Sequence, residues 1–233
     1  MPASSHKTVL IVGVGSGLSA SLARLFSKSG LKIVLASRST DGLAGLASET
    51  GAKVFACDAS QENQVEQLFS DIDATLGSPD VVIYNASFRT RGEFIELVPK
   101  DVQKAIAISA FGAFLVAQQA ARRMLRNKHG AIFFTGASAG VKGYPRSAPF
   151  AMGKFALRGL SQSLARELQP QGIHIAHFVI DGGIRSARRT EPSEKPDSLL
   201  DPDAIAQTYL DVLRQPRSAW SSEIEMRPWV ETF

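Results

Sequence analysis

What most constrains this chain is an alternation of short apolar runs with helical patterns. The strand-like runs are Thr8 to Val12, Lys32 to Ala36, Lys53 to Ala56, Asp80 to Tyr84, Ala131 to Thr135, His174 to Ile180 and Glu223 to Met226. The helical patterns run from Leu18 to Lys28, Thr40 to Glu49, Glu62 to Leu76, Pro99 to Arg126, Phe150 to Leu168 and Pro202 to Leu213. Strands that alternate with helices form right-handed βαβ units, and several in succession build a parallel sheet covered on both faces. The predicted fold is therefore α/β: a doubly wound parallel sheet in three layers, αβα, as a single domain over 1–233. In such sheets the ligand sits beyond the carboxyl ends of the strands, where strand order reverses.

The loops that follow strands are accordingly the ones that carry chemistry. The first strand runs into Gly13-Val14-Gly15-Ser16-Gly17-Leu18-Ser19 and then a helix. Glycines at a strand end let backbone N–H groups approach a phosphate, and the positive end of the helix stabilises its charge. The spacing is G-x-G-x-G rather than G-x-G-x-x-G, because Leu18 stands three after Gly15. Gly13, Gly15, Ser16, Gly17 and Leu18 are expected to cradle a nucleotide; the bland alternative is an ordinary tight turn. After the second strand come Ser37 and Arg38, with no carboxylate before Asp41. An acidic residue here would grip a free ribose 2′-hydroxyl, whereas an Arg fork suits a 2′-phosphate. The expected coenzyme is thus NADP(H), with Arg38 and Ser37 on its phosphate. Asp58, beside Ala59, is placed to accept from the adenine amino group. Asn85 and Ala86 end the fourth strand and let backbone pass close to a ribose.

Composition narrows the class. At 233 residues and 44% hydrophobic content the chain can bury one sizeable core. The lone Cys57 allows no internal disulfide, which points to a reducing cytoplasm. Met1 to Lys7 is short and polar, unlike a signal peptide, and the apolar stretch Ala105 to Ala117 falls short of the ~20 residues of a membrane span. Neither secretion nor membrane insertion is expected. The net charge of +4 comes from Lys and Arg spread along the chain, so nucleic acid is not an expected partner. No His, Cys or Asp cluster has metal-ligand spacing. His174 and His177, three apart on one strand, lie on opposite faces and read as packed residues.

Taken in order along the chain, these motifs resemble the short-chain dehydrogenase/reductase family from Thr8 to about Met226. Gly13, Gly17 and Ser19 resemble its TGxxxGxG turn, with Val12 for Thr and Ser19 for the last Gly. Asp58 matches its adenine-contacting Asp, and Asn85-Ala86-Ser87 resembles its NAG. Asp181-Gly182-Gly183-Ile184-Arg185-Ser186 resembles PGxxxT, which brings Gly182 and Ile184 to the coenzyme, and Phe150 to Lys154 falls where the family has YxxxK. The resemblance implies a Rossmann-type fold, a nicotinamide coenzyme, a small-molecule substrate, and homodimers or homotetramers built through long helices that here carry Phe111, Phe114 and Phe155.

In the family a Tyr protonates the carbonyl oxygen, a Lys assists it and holds the ribose, a Ser polarises the carbonyl and an Asn supports a proton relay. This chain keeps Lys154 but has Phe150, Ala137 and Ser109 at the other three positions. The enoyl-reductase variant, with its Tyr seven before the Lys, is not followed either, since that position is Ser147. Ser138, one residue from the expected Ser, and Tyr144, in the loop after the fifth strand, are the replacement candidates for proton delivery. Two functions follow: an NADP(H)-dependent oxidoreductase acting on a carbonyl or hydroxyl compound, or a catalytically silent NADP-binding protein that acts as a sensor or interaction partner.

Cations also gather after the strands: Arg89 and Arg91 after the fourth, Lys142 and Arg146 after the fifth, Arg185, Arg188 and Arg189 after the sixth. Their convergence predicts an electropositive mouth suited to an acidic substrate. The polar run 187–202 is expected to be a mobile lid that orders when ligands bind.

Overall fold

β1 (Thr8–Val12) runs through the interior with every residue buried. An unbroken apolar run suits a strand covered on both faces. Its side chains alternate, Leu10 and Val12 packing into one core and Val9 and Ile11 into a second. The structure, a computed structural model, describes residues 6–186 and 189–231. To one side of β1 lie β2 (Lys32–Ser37) and then β3 (Lys53–Ala56). To the other lie β4 (Val81–Tyr84), β5 (Gly130–Thr135), β6 (Ile173–Ile180) and β9 (Glu223–Met226). All these pairings are parallel, in the order β3-β2-β1-β4-β5-β6-β9. The predicted doubly wound sheet is therefore present, and its order reverses between β1 and β4.

The helices form the outer layers. α1 (Leu18–Lys28), α2 (Ala44–Thr50) and α7 (Pro202–Leu213) cover one face through Phe26, Leu46 and Tyr209. α3 (Glu62–Leu76), α5 (Gly112–Asn127) and α6 (Ala148–Leu168) cover the other through Phe69, Val116 and Leu157. α2 begins later than the sequence pattern predicts because Thr40 to Leu43 close a turn, Leu43 N–H donating to the Thr40 carbonyl.

The helix predicted from Pro99 to Arg126 is not uniform. α4 (Pro99–Ile106) passes through a π-helical turn at Ala107–Phe111 before α5 begins. Such a turn misaligns carbonyls, and the buried Tyr84 phenol donates to that of Ile108. The helical run Pro99–Asn127 is 29 residues long, and by length and composition it could cross a membrane. This corrects the shorter apolar stretch read from sequence. Its most apolar window is 56% buried, much of it against the neighbouring helices and the sheet, which accounts for that composition.

Beyond β6 the chain makes a small feature that the sequence did not suggest. β7 (Gly183–Ile184) pairs with β8 (Leu199–Leu200), and Arg185 bonds Asp201 at 2.9 Å, so both ends of the predicted lid are tied together. Ala187 and Arg188 lie outside the described residues. His174 stacks on Trp220, while His177 sits over Gly136 on the opposite face and bonds Glu223. Both histidines are buried, as packed residues would be.

Candidate active site

A cleft of about 960 Å³ opens over the carboxyl ends of β1, β4, β5 and β6. Its floor is the turn after β1. Gly13 has φ +88, and a Cβ there would stand 2.3 Å from the Ala86 backbone nitrogen, so this close crossing of two loops requires glycine. Ser19 locks the crossing: its hydroxyl donates to the Gly13 carbonyl at 3.0 Å and accepts from the Asn85 amide at 2.7 Å. The Ser that stands in place of a glycine thus has a structural role, and Asn85 acts here through that bond. Before Gly15 and Gly17 there is open space, and α1 starts with no side-chain cap and no acid in its first turn. Ser16 and Leu18 line the same floor.

The adenine-side candidates line the cleft as well. Arg38 is exposed, and no ion pair is recorded for it among the described residues. Ser37 bonds the Val14 carbonyl weakly, at 3.4 Å. Asp58 accepts on one oxygen, Oδ1, from the Ser60 N–H and hydroxyl, which leaves the other for a ligand, with Ala59 beside it.

At the opposite end stands Lys154, almost wholly buried, its Nζ donating to the Thr135 carbonyl at 2.7 Å. Phe150 lies one helical turn earlier, its ring centroid 5.8 Å from that Nζ and 4.9 Å from the Arg89 guanidinium. An aromatic ring approached by two cations is attractive through its π face and supplies no proton. Ser138 opens a 3₁₀ turn at the cleft wall. Tyr144 is 40% exposed, and the Lys142 Nζ lies 5.6 Å from its ring centroid. Ser109 is fully buried against Gly153, and its hydroxyl has no hydrogen-bond partner among the described residues. Gly182 and Ile184 complete the wall, and Gly182 is pressed by Pro228 from the C-terminal segment.

Burial lowers the Lys154 ammonium to about 8 from its ordinary 10.5. Between those values the unfolded chain binds more protons than the fold, so stability gains from this residue as pH rises through the window. The melting temperature of the wild type is expected to climb relative to Lys154→Met between pH 8 and 10. Parallel curves would show that the ammonium is not desolvated.

The predicted ring of cations needs revision. Lys142 pairs with Asp181 at 3.7 Å and Arg146 with Glu93 at 2.6 Å, and neither lines the cleft. Arg185 lines it but is held by Asp201. Arg89, Arg91 and Arg189 line it with no recorded carboxylate partner among the described residues. Sequence reasoning missed the Arg89–Phe150 contact, the Thr135 carbonyl beneath Lys154, the Arg227–Asp181 pair at 3.0 Å and Glu231 at the rim. All are contacts between distant segments, for which local pattern carries no signal.

Known proteins bear on this geometry. An uncharacterized oxidoreductase of Staphylococcus aureus is 26% identical over 230 residues, covering 96% of this chain and 98% of its own. A short-chain dehydrogenase from Rhodopseudomonas palustris superposes with a TM-score of 0.82 at 32% identity, over 96% of this chain and 99% of that one. An actinorhodin polyketide ketoreductase solved with NADPH shares the fold, with a TM-score of 0.87 at 20% identity over 98% of both chains. The family model for short chain dehydrogenase matches residues 7–196. With that match spanning the glycine turn, the cleft and Lys154, the chain belongs to the short chain dehydrogenase family.

Proposed function

We propose that this oxidoreductase uses NADP(H) to interconvert a carbonyl and a hydroxyl compound. The observation that carries the reading is the cleft itself: open space before Gly15 and Gly17, an uncapped α1, an Arg38 with no ion pair among the described residues and a buried Lys154 line one continuous surface. These donors fit a phosphorylated dinucleotide. Backbone N–H groups from Gly13 to Leu18 bind the pyrophosphate, Arg38 and Ser37 the 2′-phosphate, and the free Asp58 oxygen the adenine amino group. Asn85 and Ala86 border the ribose path, Lys154 reaches the second ribose, and Gly182 and Ile184 border the nicotinamide. The bound coenzyme supplies or accepts the hydride.

The chain's own residues must then move the proton. Ser138 polarises the carbonyl, and Tyr144, beside Lys142, offers the phenol that Phe150 lacks. The substrate is acidic, and the segment 187–202 closes over it. Exposed Phe111, Phe114 and Phe155 support a homodimer or homotetramer in a cytoplasmic setting.

Two measurements test the reading. Calorimetry with NADPH should give saturable binding, and NADPH oxidation with a panel of aldehydes and ketones should give turnover. Silence in the first measurement sinks the proposal. Hydrogen bonds to charged groups are worth about 1.5–3 kcal/mol. Arg38→Ala is therefore expected to weaken NADPH roughly 10- to 100-fold and to leave NADH within about two-fold. Equal losses for both coenzymes would place the 2′-phosphate elsewhere.

A further inference from the structure

Arg89, Arg91 and Arg189 all line the cleft yet come from two separate loops, the first two after β4 and the third after β7. Other cations in the loops around the cleft have carboxylates: Arg146 has Glu93, Arg185 has Asp201, and Lys142 has Asp181. These three have none recorded among the described residues. They also lie near enough to act on one another, since burial first and then the charges of Arg91 and Arg189 lower the pKa of Arg89. Three guanidinium groups facing one space repel each other unless an anion joins them. The carboxylates lining the cleft do not fill that role: Asp58 belongs to the β3 end, Asp181 is engaged by Lys142 and Arg227, and Glu231 is exposed at the rim.

The position of the cluster says which anion it serves. Arg89 rests on the Phe150 ring, which in turn approaches Lys154, so the cluster borders the reacting end of the cleft. The pyrophosphate floor at Gly15 and the 2′-phosphate candidate Arg38 belong to the β1 and β2 loops. Arg189 lies against Gly183, its Nη1 2.9 Å from where a Cβ would stand, so glycine there leaves the guanidinium its place on the wall. Guanidinium forks match oxyanions in shape as well as charge.

Building on the coenzyme site proposed above, we infer that Arg89, Arg91 and Arg189 form an oxyanion clamp for the substrate, which is a carbonyl compound bearing a carboxylate or phosphate. The clamp holds the substrate by its charged end and leaves the carbonyl toward Ser138 and Lys154.

The test uses 4-formylbenzoate, its methyl ester and 4-formylphenyl phosphate as probes, titrated by calorimetry at low salt with and without saturating NADP+. Both anions are expected to bind at least ten-fold tighter than the ester, and the tighter of the two identifies the headgroup. Arg89→Gln/Arg189→Gln should abolish that preference and leave NADPH affinity within two-fold. Equal affinity for ester and anions, or no saturable binding of any probe, overturns the clamp. So does a parallel loss of NADPH affinity in the double variant, because the arginines would then serve the coenzyme. Failure of NADPH to bind the wild type strikes the coenzyme reading alone, since the anion preference of the bare protein still decides the clamp.

Discussion

Phe150→Tyr is expected to raise the rate of NADPH-dependent carbonyl reduction by about 10² to 10⁴, the usual worth of one positioned general acid. The substitution adds a hydroxyl to a ring that already lines the cleft one turn before Lys154, so no new backbone geometry is needed. An ammonium near the new phenol favours its ionised form and eases proton exchange. The gain should appear in kcat, with NADPH affinity unchanged. Steady-state rates of wild type and variant on the same aldehyde panel separate two outcomes. A variant active where the wild type is silent identifies the natural protein as a coenzyme binder without turnover. An active wild type that gains little from the substitution, and collapses with Tyr144→Phe, places the working acid in the loop after β5.

That contrast also marks what the sequence could reveal. The central strand β1 was legible because a parallel strand buried on both faces is apolar throughout, and the edge strands β3 and β9, which are only partly buried, also begin and end where their patterns do. The glycine turn was legible because local backbone conformation dictates residue type at Gly13. The π turn at Ala107–Phe111 was not, since it depends on Tyr84 from another strand. Nor was the sorting of the rim cations. Glu93 and Asp201 neutralise Arg146 and Arg185 only because loops far apart in sequence meet, and charge counting along a chain cannot see partners. The same holds for Ser19, which looked like an eroded glycine motif and proves to be the hydroxyl that ties Asn85 to the turn.

That tie makes the β1–α1 turn the point where one added methyl group should do the most structural harm. Gly13→Ala forces a side chain into left-handed backbone, at about 1–2 kcal/mol. It also drives a Cβ to 2.3 Å from the Ala86 nitrogen and 2.4 Å from its Cα. Both atoms are backbone at the end of β4, so relief requires the β1 and β4 loops to part, and overpacking of this kind typically adds about 1–3 kcal/mol. At roughly 2–4 °C per kcal/mol for a chain of this size, the melting temperature should fall by about 4–20 °C. NADPH binding should be lost with it. Gly15→Ala supplies the contrast: its Cβ meets nothing within 4 Å, so the fold should keep its melting temperature within about 2 °C. Its methyl group would project into the space proposed for the pyrophosphate, and NADPH affinity should drop at least ten-fold. Thermal melting and calorimetry on the two variants thus read separate properties of one turn. If Gly15→Ala bound NADPH as the wild type does, the phosphate path would have to lie away from the glycine floor.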